Sequence, residues 1–134
     1  MELAKRIRTR ELSPVDVTKA QLARIDAIDR KLNAYREVMA DSALAQARKA
    51  ESEISAGRYL GPLHGVPIAV KDLFFTNGVT TMGGCKVLEH HIPTYDATVV
   101  ARLIKAGAIL LGKLNMTEGA LSGYHPDFRV PRKL

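Results

Sequence analysis

Two short apolar runs, Val66–Val70 and Ala108–Leu111, constrain the fold of this chain more than any other feature. Each run has the length and composition of a buried strand, and Pro67 is compatible with the first because it stands near its start. Between the runs, Asp96 is a candidate N-cap of a helix that Gly107 ends. The apolar inner face of that helix comprises Val99, Val100, Leu103 and Ile104. A strand, a helix and a second apolar strand predict a βαβ unit with parallel strands that are covered on both faces.

The first half of the chain predicts two longer helices with a short strand between them. Ser13 is a candidate N-cap for a helix that continues to about Lys31. Residues 35–39 alternate enough between polar and apolar side chains to favour a short strand. Asp41 or Ser42 is the candidate cap of an alanine-rich helix, whose small side chains allow close packing. Together with the βαβ unit, these elements predict an α/β fold with helices around a mixed sheet.

Lys71 directly follows the first apolar run and precedes Asp72. Burial disfavours the charged ammonium and lowers the pKa of a lysine, so a lysine that is held away from water at this point can act as a base. The alternative is a lysine whose ammonium reaches solvent beside an exposed aspartate. Spacing alone leaves both interpretations open.

The composition is that of one modest globular domain. With 134 residues, of which 46% are hydrophobic and 25% are charged, the chain is long enough to bury a core. No apolar run approaches the ~20 residues of a membrane-spanning helix, and residues 1–10 lack the apolar stretch of a secretory signal. The single cysteine, Cys85, excludes an internal disulfide and fits a reducing compartment. We therefore expect a cytoplasmic protein without a membrane partner.

The net charge of +6 does not by itself predict nucleic-acid binding. Basic residues cluster near the two ends of the chain, in residues 5–10 and 129–133, and elsewhere the two signs are interspersed as on solvated helix faces. Aromatic side chains that could stack on bases do not interleave with the basic ones. Nucleic-acid binding is therefore not the expected main function.

Other chemically reactive residues lack the spacing of a metal or cofactor site. His64 and the adjacent pair His90-His91 have no further ligand at metal-binding spacing, so we expect surface or loop histidines. The pair Gly83-Gly84 allows either a tight turn or a close approach of the backbone to a ligand. Cys85 has no base paired with it, so we expect a small, partly buried thiol. Nucleotide-binding glycine patterns are absent from the sequence, and no metal or cofactor is expected.

Three segments resemble the amidase signature family, in the order in which that family carries them. They are Gly61–Phe74, Pro93–Val100 and Gly107–Glu118, and the first contains the sequence Val-Lys-Asp at residues 70–72. In that family this lysine is the basic end of a Ser–cis-Ser–Lys triad. The resemblance implies that Lys71 is the catalytic lysine of a hydrolase that cleaves carboxamide carbon–nitrogen bonds without a metal or organic cofactor.

The resemblance covers the N-terminal part of an amidase-signature fold. By alignment, Ala120, Leu121 and Ser122 are weak candidates for the substrate pocket. The family then continues with a Gly/Ser-rich segment that carries both triad serines and the oxyanion-hole amides. Residues 131–134 depart from this family pattern. We expect residues 1–134 to be the N-terminal portion of a single amidase domain, truncated before that segment, with helices around an incomplete mixed sheet. Without a nucleophile or oxyanion donors, the chain alone is expected to be inactive.

A complete amidase would act on a small-molecule amide, but two alternatives remain open. The first is the A subunit of a tRNA-dependent glutamine amidotransferase, which would need partner subunits, although Tyr124–Phe128 leans toward stand-alone amidases. The second is a non-catalytic interaction or relic domain. Its apolar runs, Val66–Val70 and Ala108–Leu111, would lack sheet neighbours, and it would self-associate through exposed strand edges.

Overall fold

The computed structural model describes residues 2–132, which form four α-helices and one three-stranded sheet. The helices are α1 (Glu2–Arg8), α2 (Pro14–Leu32), α3 (Ala40–Ser55) and α4 (Thr98–Lys105). The strands are β1 (Tyr35–Val38), β2 (Pro67–Lys71) and β3 (Ile109–Leu114). Two short 3-10 helices, Lys86–Leu88 and Glu118–Ala120, lie in the segments after β2 and β3. None of the helices in this part of the chain combines the length and the apolarity that crossing a membrane requires.

The sheet has the order β1-β3-β2 and contains both orientations of strand pair. β2 and β3 are parallel and α4 lies between them in the chain, which confirms the predicted βαβ unit. β1 pairs with β3 in the antiparallel direction, so the sheet is mixed, as expected. Because β3 has a neighbour on each side, the expectation that the run Ala108–Leu111 lacks sheet neighbours is wrong. Within residues 2–132, the edge strands are β1 and β2.

β3 is the centre of the core because its successive side chains point to opposite faces of the sheet. Ile109 and Leu111 pack against alanines of α3 on one face. Leu110 packs against Val70 and Val100 on the other face. Both faces of the central strand are therefore covered, as its continuous apolar sequence predicts.

α4 contacts the sheet through less of its surface than its sequence pattern predicts. Val100 is buried and Leu103 is half-buried, but the side chains of Val99 and Ile104 are 41% and 42% exposed. The prediction that these residues share an inner face is therefore wrong for two of them. The helix has only 8 residues, so only a narrow stripe of it reaches the sheet.

Ser13 caps α2 as predicted, whereas Asp96 does not cap α4. The Oγ atom of Ser13 accepts hydrogen bonds from two N–H groups of the first turn at 3.0 and 3.2 Å. α4 begins at Thr98 without a side-chain cap. Asp96 Oδ1 instead accepts a hydrogen bond from the N–H of Asn77 at 2.7 Å, and so it fastens the loop after β2 to the start of α4.

Neither Asp41 nor Ser42 caps α3, although the sequence made both of them candidates. The helix begins earlier, at Ala40, and the residue before it, Met39, makes no side-chain capping bond. The N–H of Met39 donates to the carbonyl of Leu111 at 2.8 Å. Pairing with β3 therefore continues to the last residue before the helix, and the chain passes from strand to helix without a capping turn.

His64 lies in the loop before β2, as expected, but its side chain is only 1% exposed. Its Nδ1 accepts a hydrogen bond from the N–H of Leu60 at 3.1 Å, so Nε2 carries the hydrogen that is donated to Glu53 Oε2 at 3.1 Å. A Cβ atom at Gly107 would lie 2.4 Å from the imidazole Cδ2, so only glycine fits there. The imidazole thus joins α3 to the loop before β2 and to the turn before β3.

Candidate active site

Lys71 ends β2 at the edge of the sheet where both parallel strands have their carboxyl ends. It is paired with Leu114 of β3, and its side chain is exposed. Open α/β sheets bind ligands outside this edge, in the crevice beyond the carboxyl ends of the strands. The carboxyl edge of the β2–β3 pair is therefore the candidate active site.

A buried polar cluster lies directly beside Lys71. Lys113 Nζ lies 3.3 Å from Asp72 Oδ1 and donates hydrogen bonds to Phe74 O at 2.7 Å and to Thr81 Oγ1 at 2.6 Å. The side chains of Lys113 and Asp72 are 0% and 2% exposed. The contact with Asp72 Oδ1 is an ion pair, because this oxygen has no hydrogen-bond partner among residues 2–132. We refer to Asp72, Thr81 and Lys113 as the buried cluster.

Burial acts on both charges of this cluster. It raises the pKa of the Asp72 carboxyl and lowers the pKa of the Lys113 ammonium, because each charged form loses its hydration. The attraction between the two groups opposes both shifts of pKa. The N–H of Met82, which donates to Asp72 Oδ2 at 3.2 Å, also favours the carboxylate. The loss of hydration exceeds these compensations in both residues, so the ion pair is costly to bury.

Gly83 and Gly84 form a turn beside the buried cluster. Both residues have positive φ angles, of 59° and 72°. A Cβ atom at Gly84 would lie 2.8 Å from the carbonyl oxygen of Thr117, so the close approach here is to the chain's own backbone. The N–H of Gly83 donates to the carbonyl of Asp72 at 3.2 Å. Of the two interpretations that the sequence left open, the described residues show the tight turn.

The three pocket candidates lie next to this turn. All three are exposed: Ala120, Leu121 and Ser122. The N–H of Gly119 donates to the carbonyl of Gly83 at 2.9 Å and holds the segment beside the glycine turn. The hydroxyl of Ser122 donates to the carbonyl of Glu118 at 3.2 Å. This position is compatible with one wall of a pocket, and the assignment stays a prediction.

Lys113 and Thr81 were not predicted from the sequence. The predicted second strand ended before Gly112, whereas β3 continues to Leu114 and includes Lys113. A lysine inside an apolar strand is a usable signal, because a buried charge requires a partner. The partner could not be read from the sequence, since only the parallel pairing of β2 with β3 brings Asp72 to Lys113.

The largest-scale alternatives among residues 2–132, a cavity and a metal site, do not indicate a different active site. A cavity of about 480 Å³ lies between the end of α2, β1 and residues 127–129, and Lys71 is not part of its lining. Charges of both signs line this cavity, among them Asp29, Arg36 and Arg129. Across residues 2–132, no group of three His, Cys, Asp or Glu side chains could hold a metal ion. The candidate site is therefore the carboxyl edge of the sheet.

Comparison with known proteins agrees with this architecture. The profile of the Amidase family matches residues 16–129. The chain is 51% identical over 130 residues to AmiD of Mycobacterium tuberculosis, an amidase by name, and the match covers 97% of this chain and 27% of AmiD. It is 50% identical over 120 residues to the A subunit of the glutamyl-tRNA(Gln) amidotransferase of Streptomyces coelicolor, over 90% of this chain and 24% of that relative.

A solved structure has the same arrangement of helices and strands. The native peptide amidase from Stenotrophomonas maltophilia matches with a TM-score of 0.81 and 39% identity, over 87% of this chain and 24% of that chain. The fold is thus that of the corresponding part of amidase-signature proteins. The chain belongs to the amidase family, and it spans about a quarter of the length of the relatives it matches.

Proposed function

We propose that residues 1–134 are the N-terminal portion of a single amidase domain. In this proposal the complete protein hydrolyses carboxamide carbon–nitrogen bonds through a Ser–cis-Ser–Lys triad, and Lys71 is its catalytic lysine. The observation that carries the proposal is the exposed side chain of Lys71, in a Val-Lys-Asp sequence, at the carboxyl edge of the sheet. We also propose a cytoplasmic location, because the only cysteine, Cys85, is a free thiol.

Two lysines lie at this edge, and their accessibility distinguishes them. The ammonium of Lys113 is enclosed by three oxygens, and its side chain is 0% exposed. A general base must come within hydrogen-bond distance of the proton that it removes, directly or through one intervening group. The exposed side chain of Lys71 meets this requirement, and that of Lys113 does not.

In the proposed reaction, a serine attacks the carboxamide carbonyl and forms an acyl-enzyme, while the amine or ammonia leaves. Lys71 accepts the serine proton through the bridging cis-serine and later helps to protonate the leaving amine. Backbone N–H groups of an oxyanion hole stabilise the charge that develops on the carbonyl oxygen. Water then hydrolyses the acyl-enzyme. The segment 120–122 would contribute to the pocket for the acyl group.

Two of the five serines of this chain have structural roles. Ser13 caps α2, and Ser122 donates to a backbone carbonyl in its own loop. The remaining serines lie on α3: Ser42, Ser52 and Ser55. We therefore propose that both triad serines belong to a part of the complete protein that follows residue 134. It follows from this proposal that the chain alone does not hydrolyse amides.

A graft tests the proposal. The matching part of this chain, 87% of its length, replaces the corresponding segment of the Stenotrophomonas maltophilia peptide amidase, which is 24% of that protein. We expect the graft to release ammonia from a peptide carboxamide, because Lys71 then faces the serines of the remaining domain. The 134-residue chain at the same concentration should release no ammonia above the buffer rate. Ammonia is followed by a coupled enzymatic assay.

The control is the peptide amidase without the replaced segment, which should be inactive. Circular dichroism and thermal melting establish that the graft is folded. A folded graft without activity would contradict the proposal, as would ammonia release by the 134-residue chain alone.

A second candidate function is that of the A subunit in a tRNA-dependent amidotransferase. The 50% identity to the Streptomyces coelicolor protein favours it. Such a protein would release ammonia from glutamine and would need partner subunits. The product of the complete gene distinguishes the two candidates: specific glutaminase activity favours the amidotransferase, and hydrolysis of simple carboxamides without partners favours the stand-alone amidase.

The isolated chain has an open strand edge, whichever function the complete protein has. β2 has β3 on one side only within residues 2–132, and its residues Ile68 and Ala69 are half-buried. Unpaired N–H and C=O groups on such an edge pair readily with a second chain. We propose that the 134-residue chain self-associates through β2. Its mass in sedimentation equilibrium should rise with protein concentration, and a constant monomer mass would contradict this.

A further inference from the structure

Stability alone does not require the charges of the buried cluster. A buried ion pair gains its Coulomb attraction only by giving up the hydration of two charges, and well-packed apolar residues often stabilise a fold equally well. Asp72 and Lys113 are nevertheless enclosed together, with 2% and 0% of their side chains exposed. A pair that is costly to bury is expected to have a second role, and its place in the fold indicates which one.

The cluster joins three segments that meet at the carboxyl edge of the sheet. Lys113 belongs to β3, Asp72 follows the last residue of β2, and Thr81 lies in the loop that leads to the glycine turn. Lys113 Nζ contacts an oxygen of each of the other two residues. Asp72 in turn accepts hydrogen bonds from the N–H groups of Met82, at 3.2 Å, and Gly83, also at 3.2 Å.

This arrangement fixes Lys71 through its immediate neighbour. The N–H of Asp72 donates to the carbonyl of Leu114 at 3.0 Å, so the pairing of β2 with β3 continues one residue beyond Lys71. Successive side chains of an extended segment point to opposite sides. Because the Asp72 carboxylate is anchored inside, the side chain of Lys71 is directed outward to the exposed side of the edge.

We propose that Asp72, Thr81 and Lys113 are positioning residues for the proposed reaction. They hold the direction of the Lys71 side chain and the position of the glycine turn relative to it. This inference rests on the proposed function, because the cluster acts in the reaction only by positioning Lys71. None of the three residues touches the substrate.

The test removes the hydroxyl of Thr81. Thr81 is the uncharged residue of the cluster, so this change leaves Asp72 and Lys113 paired with each other. In the graft, Thr81→Val keeps the shape of the side chain but removes the acceptor for Lys113 Nζ, whereas Thr81→Ser retains it. We expect Thr81→Val to lower kcat by about 10- to 100-fold with little change in KM, the scale of a small misplacement of a reacting group. Thr81→Ser should restore most of kcat.

Thr18 provides a matched control for the same substitution. It is buried on α2, and its hydroxyl has no hydrogen-bond partner among residues 2–132. Thr18→Val therefore removes a buried hydroxyl without disturbing the edge, and we expect kcat to stay at the level of the unmodified graft.

A second measurement on the 134-residue chain does not depend on activity. Amide hydrogen exchange of Met82 and Gly83 reports the bonds from these residues to Asp72. We expect their exchange to accelerate about 10-fold or more in Thr81→Val, because the loop loses one of its attachments, and to stay unchanged in Thr18→Val.

The outcomes separate this inference from the proposed function. If Lys71→Ala abolishes activity but Thr81→Val leaves kcat and amide exchange unchanged, the positioning role is wrong and the proposed function stands. A loss of kcat that Thr81→Ser does not restore would also overturn the positioning role, because it would reflect packing alone. If Lys71→Ala leaves kcat unchanged, the proposed function itself fails.

Discussion

Replacing Lys71 by alanine in the graft should lower kcat/KM by about 10²–10⁴-fold, the range over which a positioned general acid–base contributes. The loss should lie mainly in kcat, because in the proposed mechanism the lysine takes part in proton transfer and does not bind the acyl group. The fold should be unaffected, since Lys71 is exposed at a strand end and the substitution leaves the buried cluster intact. Steady-state hydrolysis of a peptide carboxamide at several substrate concentrations gives both constants.

Lys105 is a suitable control for this result. It is also an exposed lysine, at the end of α4, so Lys105→Ala removes the same positive charge from a different place. We expect its kcat/KM to stay close to that of the unmodified graft. If both variants lost activity equally, the effect would come from net charge, and a fully active Lys71→Ala graft would remove Lys71 from the mechanism.

Replacing Lys113 by methionine in the 134-residue chain should lower the free energy of unfolding by about 3–5 kcal/mol at pH 7. Methionine fills most of the same space but cannot donate to Thr81 Oγ1 or to Phe74 O. The larger effect is on Asp72, whose buried carboxylate loses its opposite charge. Urea unfolding followed by circular dichroism measures the change.

The penalty of Lys113→Met should grow as the pH rises. Burial already raises the pKa of Asp72 above its ordinary value of 3.8, and loss of the positive charge raises it further. The folded carboxyl then binds its proton more tightly than the unfolded one. Its contribution to stability is therefore present below the unfolded pKa and is lost as the pH rises through the folded pKa. We expect a smaller penalty near pH 4 than at pH 7.

Two further variants identify the source of this penalty. Lys105→Met removes an exposed lysine and should change the free energy of unfolding by no more than about 0.5 kcal/mol. The double variant Asp72→Asn/Lys113→Met removes the unpaired carboxylate and should recover a large part of the stability at pH 7. An equal penalty of Lys113→Met at pH 4 and pH 7 would contradict the role assigned to Asp72.

Local sequence predicted the elements whose cause is local. The runs that became β2 and β3 are short and apolar, which predicts buried strands. The helical periodicity of the residues between them predicts α4. Parallel pairing then follows, because a helical crossover brings the second strand beside the first. Ser13 was predicted as a cap because its hydroxyl acts within its own turn.

Predictions that depended on tertiary contacts were the ones that were wrong. Asp96 has the chemistry of an N-cap, but its carboxylate is taken by Asn77 of a distant loop. α3 needed no side-chain cap, because pairing of Met39 with β3 extends to its start. Val99 and Ile104 fit the helical stripe, yet the short α4 touches the sheet through a narrower surface.

By itself, the sequence determined the α/β class and the βαβ unit, because strand length and helix periodicity are properties of contiguous residues. The catalytic role of Lys71 was implied by the family resemblance of the Val-Lys-Asp sequence, and it stays a prediction. Only the tertiary structure decided that β3 is the central strand, that His64 is buried, and that the lysine sealed from water is Lys113. The physical reason is that burial and ion pairing are set by which segments meet. Asp72, Thr81 and Lys113 become one cluster only when β2 and β3 pair and the loop between them folds back onto their carboxyl ends.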